Sequence, residues 1–304
     1  MWAGRAGGAS LATQAGHGQR TVSEELPDTW TGGMPAEIAL VAWRSLIKLT
    51  RTPLLLFFSL FMPLIWLVMF SQTFGGVVAA AANGGAGPPG PSPLPCACDY
   101  VAVLLPGIAV MTAIQSASQS GFSMVADLES GFMDKFFVAP IRRSSVLIGK
   151  LLADGLRMAA QAGIILGIAY LLTLAVGWRI PFSTGVPGAL LIMLLAAAFG
   201  VAFSGLSNTV ALRTKNTEAT MMVSFSLTFP LLFLSTAMLP KAALPKWVQD
   251  FSAVNPVSYI SDASRSLVIS GYDWGAIGNA FLAVAIFGVV LNGMAVLAFR
   301  AQGK

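Results

Sequence analysis

DLESGFMDKFFVAPIRRSSVLIGK, residues 127–150, carries Asp127, Glu129, Asp134, Lys135, Arg142, Arg143 and Lys150 between two apolar runs, 101–126 and 158–176, that hold no acid or base. Two apolar runs joined by so polar an insert read as two membrane spans with an aqueous connection, since a span needs about 20 apolar residues. On a helical wheel Leu128, Phe132, Met133, Phe136 and Phe137 share one side, and Asp127, Ser130, Asp134 and Lys135 the other. That is the pattern of an amphipathic helix over residues 127–139, broken only by Glu129 on the apolar side. Pro140 stops or bends this helix, and Arg142 and Arg143 follow where a chain re-entering the membrane meets anionic headgroups.

The same alternation extends along the whole chain. Hydrophobic residues make up 56% of the sequence and charged residues 10%, against about a quarter charged in a soluble domain. Six stretches meet or approach the span length: 54–70, 101–126, 158–176, 188–207, 220–238 and 276–299, all without acids or bases. The fold class predicted is an all-α integral membrane protein with six transmembrane helices. The second span is the most polar, with Gln115, Ser116, Ser118, Gln119 and Ser120 in its later half, and Pro230 is expected to bend the fifth. Gly163 with Gly167, and Gly200 with Gly205, suit close helix packing or dimer contact.

Orientation follows from Lys and Arg, which accumulate in short cytoplasmic loops. With the N-terminus inside, fourteen of the 18 bases fall on the cytoplasmic side, leaving only Arg179, Lys241, Lys246 and Arg265 outside. Both termini are thereby placed in the cytoplasm of a multi-pass cell-membrane protein, and the net charge of +5 reflects topology. Nucleic-acid binding is a poor reading of it. Cys96 and Cys98 lie in the first external loop, where an i to i+2 disulfide is strained; free thiols or bridges to another chain are the states left open. His17, the only histidine, lies on the other side, so the pair lacks metal-binding partners.

Residues 1–34 read as a disordered cytoplasmic tail ahead of a single membrane domain, 35–304, and hold no apolar h-region of a signal peptide. From 35 to 51, Arg44, Lys48 and Arg51 repeat at helical spacing opposite Leu40, Trp43 and Ile47. A basic amphipathic helix with Trp43 at its boundary reads as one lying in the membrane interface against lipid, or as an extension of the first span. The first external loop, 71–99, contains no base and turns Pro-rich after Gly87; it reads as a flexible connection. The third, 239–274, contains helix-like stretches, an Asn255-Pro256 break and scattered aromatics, the composition of segments that lie in the interface or dip into it and return.

An ion-coupled carrier normally places an ionisable group inside the membrane, and every span centre here is uncharged. Asp154 and Arg157 come nearest, at the start of the third span, where a local ion pair explains them. A phosphate cradle GxxxxGK[ST] is absent as well: around Gly149-Lys150, Ser144 occupies the first Gly position and Leu151 the Ser/Thr position. If ATP drives transport, another polypeptide binds it. No nucleophile elbow, metal-ligand cluster or intraspan carboxylate pair suggests an enzyme. Gln115, Gln119, Ser224 and Thr228 are the polar residues available to line a path.

These features together resemble the membrane subunit of ABC type 2 exporters, in particular daunorubicin-type drug-resistance permeases. DLESGFMDKFFVAPIRR, 127–143, is similar to the family's cytoplasmic motif after the second span, and LPKWVQDFSAVNPVSYISDASRSL, 244–267, to its external segment before the last. The likeness covers roughly residues 36–300. It implies a permease homodimer, or a related heterodimer, joined to two ABC ATPase subunits that hold ATP and Mg, with no cofactor on this chain. It further implies that 127–139 is a coupling helix seated in the ATPase. Glu129, Gly131 and Pro140 carry over from the motif, and Asp127, Phe132, Asp134 and Phe136 accompany them. The interfacial helix with Trp43, Arg44 and Lys48 would be a second contact, and Asn255, Pro256 and Tyr259 would belong to external re-entrant helices. Substrates implied are hydrophobic or amphiphilic drugs or lipids. A glycan or lipid-linked sugar is the alternative within the class, and an ion-coupled carrier or channel without an ATPase is the alternative outside it.

Overall fold

The computed structural model describes residues 53–82, 100–130, 143–177, 180–239, 241 and 244–301, together with Ala39, Trp43 and Ile47. Among these residues the long elements are helices: α1 Pro53–Ala82, α2 Tyr100–Glu129, α3 Arg143–Val176, α4 Gly185–Thr214, α5 Thr217–Phe233, α6 Lys246–Ser252, α7 Pro256–Ile269 and α8 Trp274–Ala301. All belong to one unit, Met34–Lys304.

Local chemistry sets several of the joints. Asn216 caps α5, its side-chain oxygen accepting from the backbone N–H groups of Glu218 at 2.8 Å and Ala219 at 3.1 Å, which satisfies donors that a helix start leaves open. Lys215 before it takes a left-handed φ of 50° and returns its N–H to the Ala211 carbonyl. Only Lys215 and Asn216 separate α4 from α5, so the two helices run antiparallel side by side. Asn255 caps α7 in the same way, with Pro256 at the first helical position, where its missing N–H costs nothing.

α2 and α4 form the centre. α4 packs against α8, α2, α3, α5 and α7, and α2 against α4, α1, α3, α7 and α5. The core they share contains Phe199 and Phe203, and Phe199 stacks on Phe287 of α8 at 6.2 Å. Small residues permit the closest crossings: a Cβ at Gly205 would stand 2.7 Å from the Asn292 backbone N on α8, and one at Gly121 would meet Ser207 and Thr220 at 2.8–2.9 Å. A second apolar cluster of Met124, Val125, Ala211, Leu212, Ala298 and Phe299 gathers the ends of α2, α4 and α8 on one side. This side also holds Lys150, Arg213 and Lys215 and is called the basic end below.

Among the described residues four helices are long and apolar enough to cross a membrane: Tyr100–Glu129, Ile148–Ala175, Gly185–Thr214 and Trp274–Phe299. The first and fifth predicted spans coincide with shorter apolar helices, Ser59–Gly75 and Thr217–Phe233. Helix ends depart from the expected boundaries in several places, α4 among them, which runs to Thr214 rather than 207. α1 runs on to Ala82, into the stretch read as a flexible loop; Gly75 and Gly76 each cost about 1 kcal/mol relative to Ala, and the alanines of 79–82 favour the helix. α3 begins at Arg143, well ahead of the predicted 158. α5 stops at Phe233, and 234–239 is a turn, so the predicted span to 238 is cut short. Pro230 removes the N–H that would bond the Ser226 carbonyl, and Asn255 takes the Leu231 and Leu234 carbonyls at the helix end, as described next.

Candidate functional site

The two halves of the bundle are joined by different kinds of polar contact. At the basic end, α3 carries Lys150, Asp154, Arg157 and Gln161 at i, i+4, i+7 and i+11, one stripe of a helix. α2 carries Ser116, Ser120, Ser123 and Asp127 at the same spacing, running the opposite way. The stripes meet rung by rung. Lys150 Nζ donates to Ser123 Oγ at 2.7 Å and pairs with Asp127 at 3.4 Å. Ser120 donates its hydroxyl to Asp154, which also pairs with Arg157 at 3.4 Å. Arg157 Nη2 donates to the Ser116 carbonyl oxygen, and Ser116 donates its hydroxyl to Gln161 Oε1. Gln161 Nε2 then reaches Ser59 on α1 at 2.7 Å.

This seam is about 16 Å long at 1.5 Å per residue, and it is largely dry: the side chains of Lys150, Asp154 and Arg157 are about a tenth exposed. Buried charges cost several kcal/mol each unless paired and hydrogen-bonded. Here two acids alternate with two bases, so the seam is neutral overall. Its satisfaction is incomplete, however, because Arg157 Nε and Asn208 Nδ2 are buried with no hydrogen-bond partner among the described residues. Each such donor costs about 1–3 kcal/mol.

At the opposite end the partners are mostly backbone carbonyls. Asn255 Nδ2 donates to the Leu231 carbonyl at 2.7 Å and to that of Leu234 at 3.2 Å. One amide thus caps α7 and holds the end of α5. Arg265, also buried, donates through Nε to the Val103 carbonyl at 3.3 Å, through Nη2 to that of Thr236, and through Nη1 to Asp262 Oδ1 at 2.9 Å. Thr236 donates its hydroxyl to the same carboxylate at 2.8 Å. The Tyr100 hydroxyl donates to the Met238 carbonyl at 2.8 Å. Ser183 and Thr184, ahead of α4, donate their hydroxyls to the Ile269 and Leu267 carbonyls of α7 at 2.6 and 2.7 Å.

Between these ends lies a third feature. From Tyr100 to Gly121 every residue of α2 is buried except Gln115 and Gln119, which are half-buried. They sit one turn apart on a face that flanks the seam, each directly preceding a seam serine, Ser116 or Ser120. α5, which packs beside α2, exposes Met221, Met222, Phe225, Phe229 and Phe233.

The residues predicted for the site fall as follows. Asp127 and Glu129 stand in the last turn of α2 rather than at the start of a separate helix: α2 is continuous to Glu129, and Ser130 N still donates to the Ala126 carbonyl. Asp127 faces the seam and Glu129 is exposed. Gly131, Phe132, Asp134, Phe136 and Pro140 lie outside the described residues, as do Arg44, Lys48, Cys96 and Cys98. Trp43 is helical and 67% exposed, with Ile47 one turn on at 36%. Asn255, Pro256 and Tyr259 come together at the α6–α7 joint, where the Tyr259 hydroxyl donates back to the Ala253 carbonyl at 2.6 Å. Two candidates for the path are used otherwise: Ser224 is buried against Ser207 at 3.0 Å, and Thr228 donates to the Ser224 carbonyl. Lys150 and Arg265 are both interior. Asp154 and Arg157 look in the sequence like the border of a span; the matched i, i+4, i+7, i+11 spacing on two consecutive segments is the signal that points to the seam.

Comparison with known proteins bears on all of this. Residues 36–269 match the family described as ABC-2 type transporter. The daunorubicin resistance ABC transporter permease protein DrrB1 of Streptomyces coeruleorubidus is 28% identical over 74% of this chain and 72% of its own length. The putative transport permease ycf38 of Cyanophora paradoxa is 27% identical over 76% and 73%. The probable doxorubicin resistance ABC transporter permease protein DrrC of Mycobacterium tuberculosis (strain CDC 1551 / Oshkosh) is 29% identical over 55% and 58%.

Proposed function

Because the chain belongs to the ABC-2 type transporter family, we propose that it is the permease subunit of an ATP-driven exporter that moves a hydrophobic or amphiphilic drug-like or lipid compound out of the cell. In this reading two permease copies, identical or related, join two ATPase subunits that hold ATP and Mg. The chain crosses the cell membrane six times, with both ends in the cytoplasm. Segment 127–140 contacts the ATPase, the helix of Trp43, Arg44 and Lys48 lies at the interface beside it, and α6 and α7 dip in from outside.

The observation that carries the substrate class is the pair Gln115 and Gln119. An amide taken out of water unpaired costs about 1–3 kcal/mol, so two half-buried amides on the central, otherwise dry helix favour a face that meets water or a ligand. The exposed Met and Phe side chains of α5 supply soft, adaptable apolar surface. Such a surface with few hydroxyls suits a planar amphiphile better than a glycan. The names of the relatives, daunorubicin and doxorubicin resistance permeases, point the same way.

The test is reconstitution of the permease with its neighbouring ATPase in proteoliposomes, with daunorubicin as the probe. ATP-dependent uptake into inside-out vesicles that falls about tenfold in Gln115→Leu/Gln119→Leu supports the reading. Transport by the permease alone, collapsing with a proton or sodium gradient, overturns it.

A further inference from the structure

Gln161 of α3 joins three helices through one amide. Its Oε1 accepts from the Ser116 hydroxyl of α2, and its Nε2 donates to Ser59 Oγ of α1 at 2.7 Å. Both partners are hydroxyls, which donate or accept, so the bridge stands whichever way the amide is turned. All three side chains are buried, away from competing water.

The bridge also locates α1. One flank of the α2 seam belongs to α4, where Ala113 lies against Gly200 and Gly121 against Ser207. α1 packs on α2 and reaches the seam at Gln161, so it takes the other flank, the one that carries Gln115 and Gln119. Leu60, Trp66, Leu67 and Phe70 bind α1 to the apolar core, and all of them lie beyond Ser59 in sequence. Pro63 lacks the N–H that would bond the Ser59 carbonyl, so the ladder of α1 is broken in the very turn that Gln161 grips. Phe57, ahead of that turn, is exposed. Core packing thus fixes α1 beyond Ser59, while its direction ahead of Ser59 depends on where that serine is held.

We propose that Gln161 is a positioning residue of the transport path: by holding Ser59 to Ser116 it fixes the angle at which the first turns of α1 leave α2, and so how far Gln115 and Gln119 are uncovered. The inference rests on the reading of those glutamines as the substrate-facing pair of an ATP-driven permease. Arg157 on the Ser116 carbonyl and Lys150 on Ser123 keep α2 on α3 without Gln161. Replacing Gln161 therefore loosens α1 alone.

The experiment uses the full permease–ATPase complex in proteoliposomes, with daunorubicin as the probe. Gln161→Leu raises the KM for ATP-dependent uptake about tenfold and leaves kcat within about twofold. Ser59→Ala, a milder change in packing, does likewise. The double variant is no worse than either, because both single changes break one bridge. Spin labels at the exposed Phe57 on α1 and Ala126 on α2, in a complex carrying one labelled copy, read the angle without drug. The wild type gives one narrow distance and Gln161→Leu a broad distribution. A wild-type KM in Ser59→Ala, an unchanged label distance in Gln161→Leu, or loss of assembly in both single variants overturns the proposal. A distribution that broadens in Gln161→Leu, where even the wild-type complex carries no daunorubicin, upholds the placing of α1 and removes the drug reading instead.

Discussion

The basic end and the opposite end of the bundle are both polar, yet they are built from different bonds. At the basic end side chains of α3 bond mainly to side chains of α2, with Asp127, Lys150, Asp154 and Arg157 pairing along matched stripes. At the opposite end Asn255, Arg265, Tyr100, Ser183 and Thr184 bond to backbone carbonyls. A side-chain partner changes with a rotamer; a carbonyl moves only with its helix. The first arrangement suits a part that shifts and the second a part that holds its shape.

That contrast breaks most readily at Arg265. Arg265→Ala removes bonds to two buried carbonyls, each left unpaired at a cost of about 1–3 kcal/mol; losing the cation beside Asp262, whose side chain is 46% exposed, adds little. Thermal unfolding in detergent should show the loss, with Arg265→Lys failing to restore it because an ammonium lacks the guanidinium fork. Gly107→Ala comes next. Its Cβ would run into the Ala237 carbonyl in the turn after α5, and overpacking of that kind costs about 1–3 kcal/mol on the same assay. Asn255→Ala loses a cap and the hold on α5, about 1 kcal/mol from the cap alone. Faster proteolysis of the turn at 234–239 would locate the damage. The smallest stability effect is expected at the other end: Glu129→Gln, on an exposed residue, should leave stability within about 0.5 kcal/mol. It should weaken ATPase association if 127–140 is the contact. A seam variant that destabilised the protein as strongly as Arg265→Ala would erase the distinction between the two ends.

Much of the fold was legible because lipid demands it: an apolar run without charges long enough to span has few alternatives to a helix. The Asn255-Pro256 joint was legible too, since cap and N1 residues act locally. Segment boundaries were not. α3 starts at Arg143 although Lys150, Asp154 and Arg157 look like the polar edge of a span, because each finds its partner on α2 rather than in water. α5 ends early through Pro230 and Asn255, residues far apart in sequence. Ser224 and Thr228 looked like path residues, and packing consumed both. Arg265 was counted as an external charge and is buried.

Composition and periodicity by themselves determined that this chain is a helical membrane protein, and the resemblance carried by the motif at 127–143 is what leads to the proposal that a separate subunit supplies the energy. Those properties belong to single segments and to their solvent. Which polar residues face each other, which stay half-buried and which hold carbonyls was decided only when α2 and α4 took the centre of the bundle. The reason is physical: a polar side chain in a span is satisfied by whatever lies opposite, and what lies opposite is a property of two helices, never of one.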